Sequence, residues 1–314
     1  RMSAVTQRRR RLSGWLFVSP WLLGLIVLFV YPFIASFLWS FTEYDLLTSP
    51  RYVGADHYQR IAQEIASGEG FGKALVNTVY FAAVSVPMSI IMAISLAVML
   101  NWKVRGQAIF RTLFYLPSMV PIVASSILWL WLLDPRDGMV NGVIGFFYEV
   151  PPLWFQGIQE AISLDTPLQF GSKDGLVMMS LWGVGNFMLI YLAAIGDIEP
   201  SLYHAAELDG AGVWQKFRHI TLPMLSPIIF FNLILGIIQS VQAFTQVYIV
   251  SEGTGQPAEA SLMISLQLFL SAFRDLEMGY ASAVAWVLFA LLGLATWGLF
   301  RTSKNWVHYR GVRM

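Results

Sequence analysis

Pro200-Ser-Leu-Tyr-His-Ala-Ala-Glu-Leu-Asp-Gly-Ala-Gly-Val-Trp-Gln-Lys-Phe-Arg-His-Ile-Thr-Leu-Pro223 lies between two long apolar runs that hold no charged residue. Pro200 suits the first turn of a helix, where its missing N–H has no partner to lose. Tyr203 to Leu208 continue that helix, and Asp209-Gly210 is a turn signal that ends it. A second short helix over 211–220 puts Val213, Trp214, Phe217 and Ile220 at helical spacing. Gln215, Lys216, Arg218 and His219 fall elsewhere on its surface. Pro223 then opens the next apolar run. A polar helix-turn-helix with an apolar stripe, strung between two membrane-length segments, is a ready docking element for a groove in a partner.

The flanking runs are two of six. Segments of roughly 20 residues, long enough for a hydrocarbon core of about 30 Å, run from Trp15 to Trp39, Ala74 to Leu100, Thr112 to Leu133, Leu176 to Ile195, Met224 to Val250 and Tyr280 to Phe300. No Asp, Glu, Lys, Arg or His falls inside any of them. The chain is 56% apolar and 12% charged, whereas globular domains run at about 45–50% and about 25%. The runs are continuous rather than alternating at period two, so the spanning element is a helix and not a barrel strand. The fold expected is therefore all-α and integral to the membrane. A cytoplasmic basic N-terminus (1–14) precedes a six-helix domain (15–302), and a cytoplasmic tail (303–314) follows it. Pro20, Pro32, Pro87, Pro117, Pro121 and Pro227 lie within the runs and are expected to kink them. The first run follows Arg8 to Arg11 but exceeds a secretory core of about 7–15 residues and lacks a cleavage site, so it reads as a retained helix.

Charge sets the expected orientation. The N-terminus, the 101–111 and 196–223 connections and the tail hold 14 of the 20 Lys and Arg, against 4 of the 19 acidic residues. The other three connections hold 6 basic and 15 acidic residues. Both termini and the 198–223 loop should thus face the cytoplasm. The arginine run suits anionic lipid headgroups rather than nucleic acid. Chemistry is narrowed in the same way. With no Cys there is no disulfide, Fe–S cluster or catalytic thiol. The four His are scattered, and neither an H-E-x-x-H nor a phosphate-cradling G-x-x-x-x-G-K-[ST] motif occurs. Proton pumps and voltage sensors need ionisable groups within the membrane, and none is present. Such a chain either conducts passively or borrows energy from a partner.

The central loop resembles the signature of permease subunits of binding-protein-dependent ABC importers: Glu-Ala-Ala, three residues, Gly, nine residues, Ile, one residue, Leu-Pro. Ala205, Ala206, Gly210, Ile220, Leu222 and Pro223 fall in register, while His204 replaces the usual Glu. The resemblance runs from about Leu12 to Tyr309. Ser19-Pro20, Asn77-Thr78, Gly106 through Arg111-Thr112, Leu116-Pro117 and Asp209-Gly210-Ala211 look like the carbohydrate-uptake branch. The basic start and Tyr31-Pro32 are similar to its maltose-F-like and glycerol-phosphate-permease-A-like members. This resemblance implies a type I ABC importer permease fold in a bacterial inner membrane. It also implies a homologous second permease, two cytosolic ATPase subunits that carry the ATP and Mg, and an extracytoplasmic sugar-binding protein. The chain itself would hydrolyse nothing and hold no cofactor. In the family the loop fits a cleft on the ATPase. His204 cannot supply the fixed negative charge expected there, and Glu207, on nearly the same helical face, is the candidate substitute.

Substrate contacts are sought on the fifth and fourth spans, which hold the substrate in maltose-type relatives. Asn232, Gln239, Gln242 and Gln246 lie at offsets that share one helical face, with Ser240 and Thr245 to either side. Amides donate and accept, which suits sugar hydroxyls; they also cross-link helices, and both roles stay open. Trp182, Gly183, Gly185 and Asn186 offer a flat ring, room for close approach and another amide. Trp129 and Trp131 read as interfacial belt residues. The long outer connection, with Pro151-Pro152, Trp154 and Phe155, is a candidate contact for the binding protein. The function expected is sugar import by alternating access, with a passive facilitator as the rival class and glycerol phosphate or a polyol as the rival cargo.

Overall fold

A computed structural model describes residues 4–102, 106–146, 154–155, 171–256 and 259–308, with side chains from Gly14 onward. Most of the outer connection between the third and fourth spans, including Pro151-Pro152, lies outside the described residues. So do residues 309–314 and the side chains of Arg8 to Arg11.

In chain order, α1 (Ala4–Leu25) passes through a π turn, Ile26–Val30, into α2 (Tyr31–Trp39). A short antiparallel pair, β1 (Thr42–Glu43) and β2 (Arg51–Tyr52), leads to α3 (Asp56–Ser67) and then α4 (Phe71–Asn101). Next come α5 (Gln107–Tyr115), α6 (Ile122–Leu132), α7 (Met139–Ile144), α8 (Ser172–Trp182) and α9 (Gly185–Gly196). The loop forms α10 (Pro200–Leu208) and α11 (Val213–Lys216), followed by α12 (Leu222–Val241) and α13 (Thr245–Val250). Finally, α14 (Ile264–Phe269) precedes α15 (Met278–Ser303). Among the described residues, four helical stretches are long and apolar enough to cross a membrane: Gly14–Trp39, Phe71–Asn101, Val213–Val250 and Met278–Ser303. Two bent pairs, Gln107–Met119 with Ile122–Leu132 and Ser172–Trp182 with Gly185–Gly196, bring the number to six.

Those bent pairs correct the expectation of six whole helices. The third span turns by 97° because Pro117 and Pro121 each remove a backbone donor, and Val120, ahead of Pro121, is pushed into extended backbone at ψ 129°. The fourth turns by 46° at Gly183, a residue that costs helix stability wherever it sits inside one. Two further features concern the loops. α3 and α14 are helices within connections between the spans, and the second helix of the central loop does not stop at Pro223. It runs through a π turn, Phe217–Thr221, straight into α12.

Prolines inside straight spans are accommodated by a recurring device. Pro20 and Pro227 cannot bond the carbonyls four residues back, and in each case the preceding serine does so instead. Ser19 Oγ donates to Leu16 O at 2.9 Å and Ser226 Oγ to Pro223 O at 2.6 Å.

The chain divides into two compact units. The first comprises residues 1–63 and 268–287. Trp15, Phe17, Trp21 and Phe29 are bare along its first span, as a lipid-facing helix requires. Trp286 meets Phe33 at a tilt and Phe37 edge-on, with centroids 4.7 and 4.8 Å away, and Arg60 pairs with Glu277 at 2.8 Å. The second comprises residues 64–267 and 288–314. Its centre is α4, packed by α8, α9 and α12. Val86, Ile90, Ala93, Ala97 and Leu100 share one face of α4 at helical spacing. They bury against Met188, Tyr191, Leu192 and Ile195 of α9 and Leu225 of α12. The two alanines let the helix backbones approach closely. At the other end of α4, buried Asn77 donates to the carbonyls of Glu259 and Leu262, both at 2.9 Å. Thr78 Oγ1 accepts the Ile264 N–H at 3.0 Å. This pair therefore pins the segment ahead of α14 onto α4.

Candidate functional site

The central loop is a Schellman turn joining two helices. α10 starts with Pro200 in its first turn and ends where the Ala211 N–H bonds Ala206 O at 2.9 Å and the Gly210 N–H bonds Glu207 O at 3.0 Å. Gly210 adopts φ +79°, the left-handed conformation this motif requires. A Cβ there would meet nothing within 4 Å, so the demand is on backbone angle and not on space. The Gly212 N–H then bonds Gln215 Oε1 at 2.7 Å, opening α11. Asp209 caps α10, and a small concavity is lined by Ala206, Asp209, Gly210, Ala211, Lys216 and Ile220.

The expected apolar stripe divides in two. Val213 and Trp214 stand 69% and 67% exposed and Leu208 91%, while Phe217 and Ile220 are half-buried. Phe217 packs on the core of the second unit. Glu207, the candidate substitute for the family's Glu, is paired within the loop. Lys216 Nζ bonds its Oε1 at 2.8 Å and holds the carboxyl below the usual carboxylate value, with His204 a weaker neighbour at 3.8 Å. Leu222 and Pro223 form the first turn of α12, carrying the loop into the span without a joint.

The second feature is a cavity of about 540 Å³ within the second unit. α4 supplies Phe81, Ser85 and Ser89; the α8–α9 break supplies Gly183 and Asn186; α12 supplies Asn232, Gln239 and Ser240. Gln242, Thr245 and Gln246 come from the break after α12. Each interruption of a span borders this space: Ile122 directly follows the Pro121 break, Gly183 marks the second, and Gln242 to Phe244 form the third. Irregular backbone at membrane depth is tolerated only where protein or a water-filled cavity can satisfy it. At the third break the Ala243 carbonyl is taken by Ser265 Oγ. Every side chain in the lining is uncharged. Asn186, Gln239 and Gln242 are exposed at the open side, whereas Asn232 is sealed inside.

Seven of the eight residues expected to line such a site do so: Gly183, Asn186, Asn232, Gln239, Ser240, Gln242 and Gln246. Gln246 reaches it across the break rather than along one continuous helical face. Trp182 is the exception; its ring meets Trp129 edge to face at 6.1 Å. Trp129 is correspondingly buried rather than interfacial, because the bend at Pro121 lays α6 against α8. Trp131 stays exposed. The two glycines part company. A Cβ on Gly183 would meet only Ser180 O at 3.9 Å, whereas one on Gly185 would lie 2.6 Å from Phe114 O and 2.8 Å from Tyr115 Cα. Gly185 is thus a packing glycine. Phe81, Ser85, Ser89 and Ser180 were not foreseen, although Thr78, Ser85 and Ser89 form a polar line on one face of α4.

Residues 85–302 match the family described as binding-protein-dependent transport system inner membrane component. A probable ABC transporter permease protein, YesP of Bacillus subtilis, is 40% identical over 96% of this chain and 94% of its own. The lactose transport system permease protein LacF of Rhizobium radiobacter is 34% identical over 93% and 94%. The fold matches a chain in a crystal structure of a bacterial alginate ABC transporter in complex with alginate pentasaccharide-bound periplasmic protein. There the TM-score is 0.78 at 21% identity, with 96% and 97% of the two chains covered.

Proposed function

The chain belongs to the family of binding-protein-dependent transport inner membrane components, and from that premise we propose that it carries a neutral sugar inward by alternating access. ABC transporter permeases of this family are multi-pass inner-membrane subunits and are not themselves enzymes. One observation carries the reading: the three broken spans converge on a cavity whose lining is uncharged, with amides and hydroxyls set among aromatic, aliphatic and small residues. Amides that both donate and accept match sugar hydroxyls, and the rings Phe81, Phe187 and Phe244 offer apolar faces. Glycerol phosphate fits less well, since no cation lines the space to meet its charge.

Exposed surfaces support a reading of the rest of the assembly. The bare Leu208, Val213 and Trp214 of the 198–223 loop are the surface for one of two cytosolic ATPase subunits, which bind ATP and Mg. Both termini share that side. The open flank at Asn186, Gln239 and Gln242 is where a homologous second permease completes the cavity, and an extracytoplasmic binding protein delivers the sugar. Continuous helix from Val213 to Val241 joins the loop to the cavity, so movement at one end reaches the other.

Reconstitution in proteoliposomes with these partners tests the reading. ATP-dependent uptake of a labelled neutral sugar, abolished by omitting the ATPase, is expected. Equal uptake by this chain alone would establish a passive facilitator instead.

A further inference from the structure

The residues after α15 fold back onto the start of α12, at the place where the central loop becomes a span. α15 ends in a tight turn: Ser303 Oγ donates to Phe300 O at 2.8 Å, and the backbone N–H groups of Trp306 and Val307 bond Ser303 O at 3.2 and 2.9 Å. Lys304 and Asn305 are left exposed, while Trp306 and Val307 are half-buried. Trp306 meets Phe230 of α12 edge-on at 5.9 Å, and Phe300 meets the same ring edge-on at 5.1 Å. Phe230 is buried beneath them. One turn earlier on the same face of α12, buried Ser226 accepts the His308 backbone N–H at 2.8 Å and donates to Pro223 O at 2.6 Å. The hydroxyl that fills the gap left by Pro227 therefore serves two bonds. Bonds chained in this way polarise and strengthen one another, and this chain leads from the tail to the last residue of the 198–223 loop.

The second observation is what lies between the same two helices further along. An apolar groove of about 370 Å³ opens there, bordered by Leu233, Ile237 and Val241 of α12 and by Leu291, Leu292 and Ala295 of α15. Thr78 of α4 is the one polar side chain in its lining, and its hydroxyl is engaged by Ala74 O and the Ile264 N–H. The two spans are thus fastened at their loop-side ends and open beyond them.

We propose that residues 303–308 are a clasp that makes the last span move with α12, so that Trp306 and Ser226 are positioning residues for the coupling of ATP hydrolysis to import. The clasp has this role only if ATP drives import through the loop, as read above. Movement entering at the loop shifts the start of α12 and, through Ser226 and Phe230, draws the end of α15 with it. Unclasped, α12 would pivot alone against the open groove, and less of the movement would reach the cavity.

The test uses the complete transporter in proteoliposomes, with ATP hydrolysis and uptake measured on the same vesicles and glucose, lactose, maltose and maltotriose as labelled probes. Trp306→Ala should lower uptake roughly fivefold, with ATP hydrolysis within about twofold of native and the melting temperature unchanged. More ATP is then consumed for each sugar imported. Trp306→Phe, which keeps a ring against Phe230, should remain coupled. Because the chain has no Cys, Ser226→Cys and His308→Cys can be bridged in the Trp306→Ala background. Oxidation should restore uptake there, and reduction should remove it again. Should Trp306→Ala fail to assemble, the same bridge in the otherwise native chain decides, and near-native uptake is expected. Arrest of uptake on oxidation would overturn the clasp, because it would mean that the contact must open in each cycle. Native coupling in Trp306→Ala would overturn it as well. So would an equal fall in hydrolysis and uptake with a lowered melting temperature, which would make the tail packing alone. Import of no probe, or import that ignores ATP, by the native assembly is a different result: it defeats the import reading itself, and the clasp with it.

Discussion

The loop at 198–223 and the cavity differ in how far apart in the chain their parts lie. The loop is local. Its turn is closed by hydrogen bonds spanning three and five residues, its Glu207–Lys216 ion pair joins residues nine apart, and its exposed apolar side chains are near neighbours. The cavity draws on α4, the α8–α9 break, α6 and α12–α13, so each wall depends on how distant segments pack. A local device fails when one dihedral is wrong; a distributed one fails by degrees. Mutations can break or sharpen that contrast.

The largest effect is expected at Gly210. Valine there must adopt φ near +79°, which a β-branched residue resists strongly. Sugar-stimulated ATP hydrolysis should fall at least tenfold while the partners still co-purify. Gly210→Asn, which tolerates the left-handed region, should lose far less. Equal losses would mean that crowding rather than backbone angle is at issue. Next, Gln239→Leu and Asn186→Leu should each lower uptake by roughly fivefold to tenfold and leave ATPase docking unchanged. A loss of docking would show that cavity and loop do not fail independently.

Gly185→Ala is expected to act on stability. Its Cβ would fall 2.6 Å from the Phe114 carbonyl, and overpacking of this kind costs about 1–3 kcal/mol. A lowered melting temperature of the assembled transporter, with Gly183→Ala nearly neutral by the same measure, would separate the packing glycine from the lining one. The smallest effect is expected at Glu207. Lys216 depresses its carboxyl below the usual 4.5, so the pair's contribution is present above that value and disappears as pH falls through the lower one. Because both groups reach solvent, Glu207→Gln should shift the melting temperature little at pH 7 and flatten its decline below pH 4.5.

The same contrast explains what could be read from the amino acids alone. Pro200, Asp209-Gly210 and the helical spacing of Val213, Trp214, Phe217 and Ile220 announced the loop, because capping and turn chemistry act over a few residues. The six spans were legible from uninterrupted apolar runs. The breaks were less so. Pro117 and Pro121 signalled a kink but not a bend of 97°, and nothing near Gln242 foretold an interruption. The amides of the fifth span were identified as a group, yet Ser85 and Ser89 were passed over, since single hydroxyls in an apolar helix carry little signal. Trp129 was misjudged because its burial depends on the bent α6 lying against α8.

The neutrality of the cavity lining has an electrical consequence. A charge crossing the bilayer gains or loses about 2.3 kcal/mol for every 100 mV, but an uncharged solute carried past uncharged walls gains nothing. Voltage across the membrane should therefore neither drive nor hinder the passage, and the cell could let its potential collapse without starving this route.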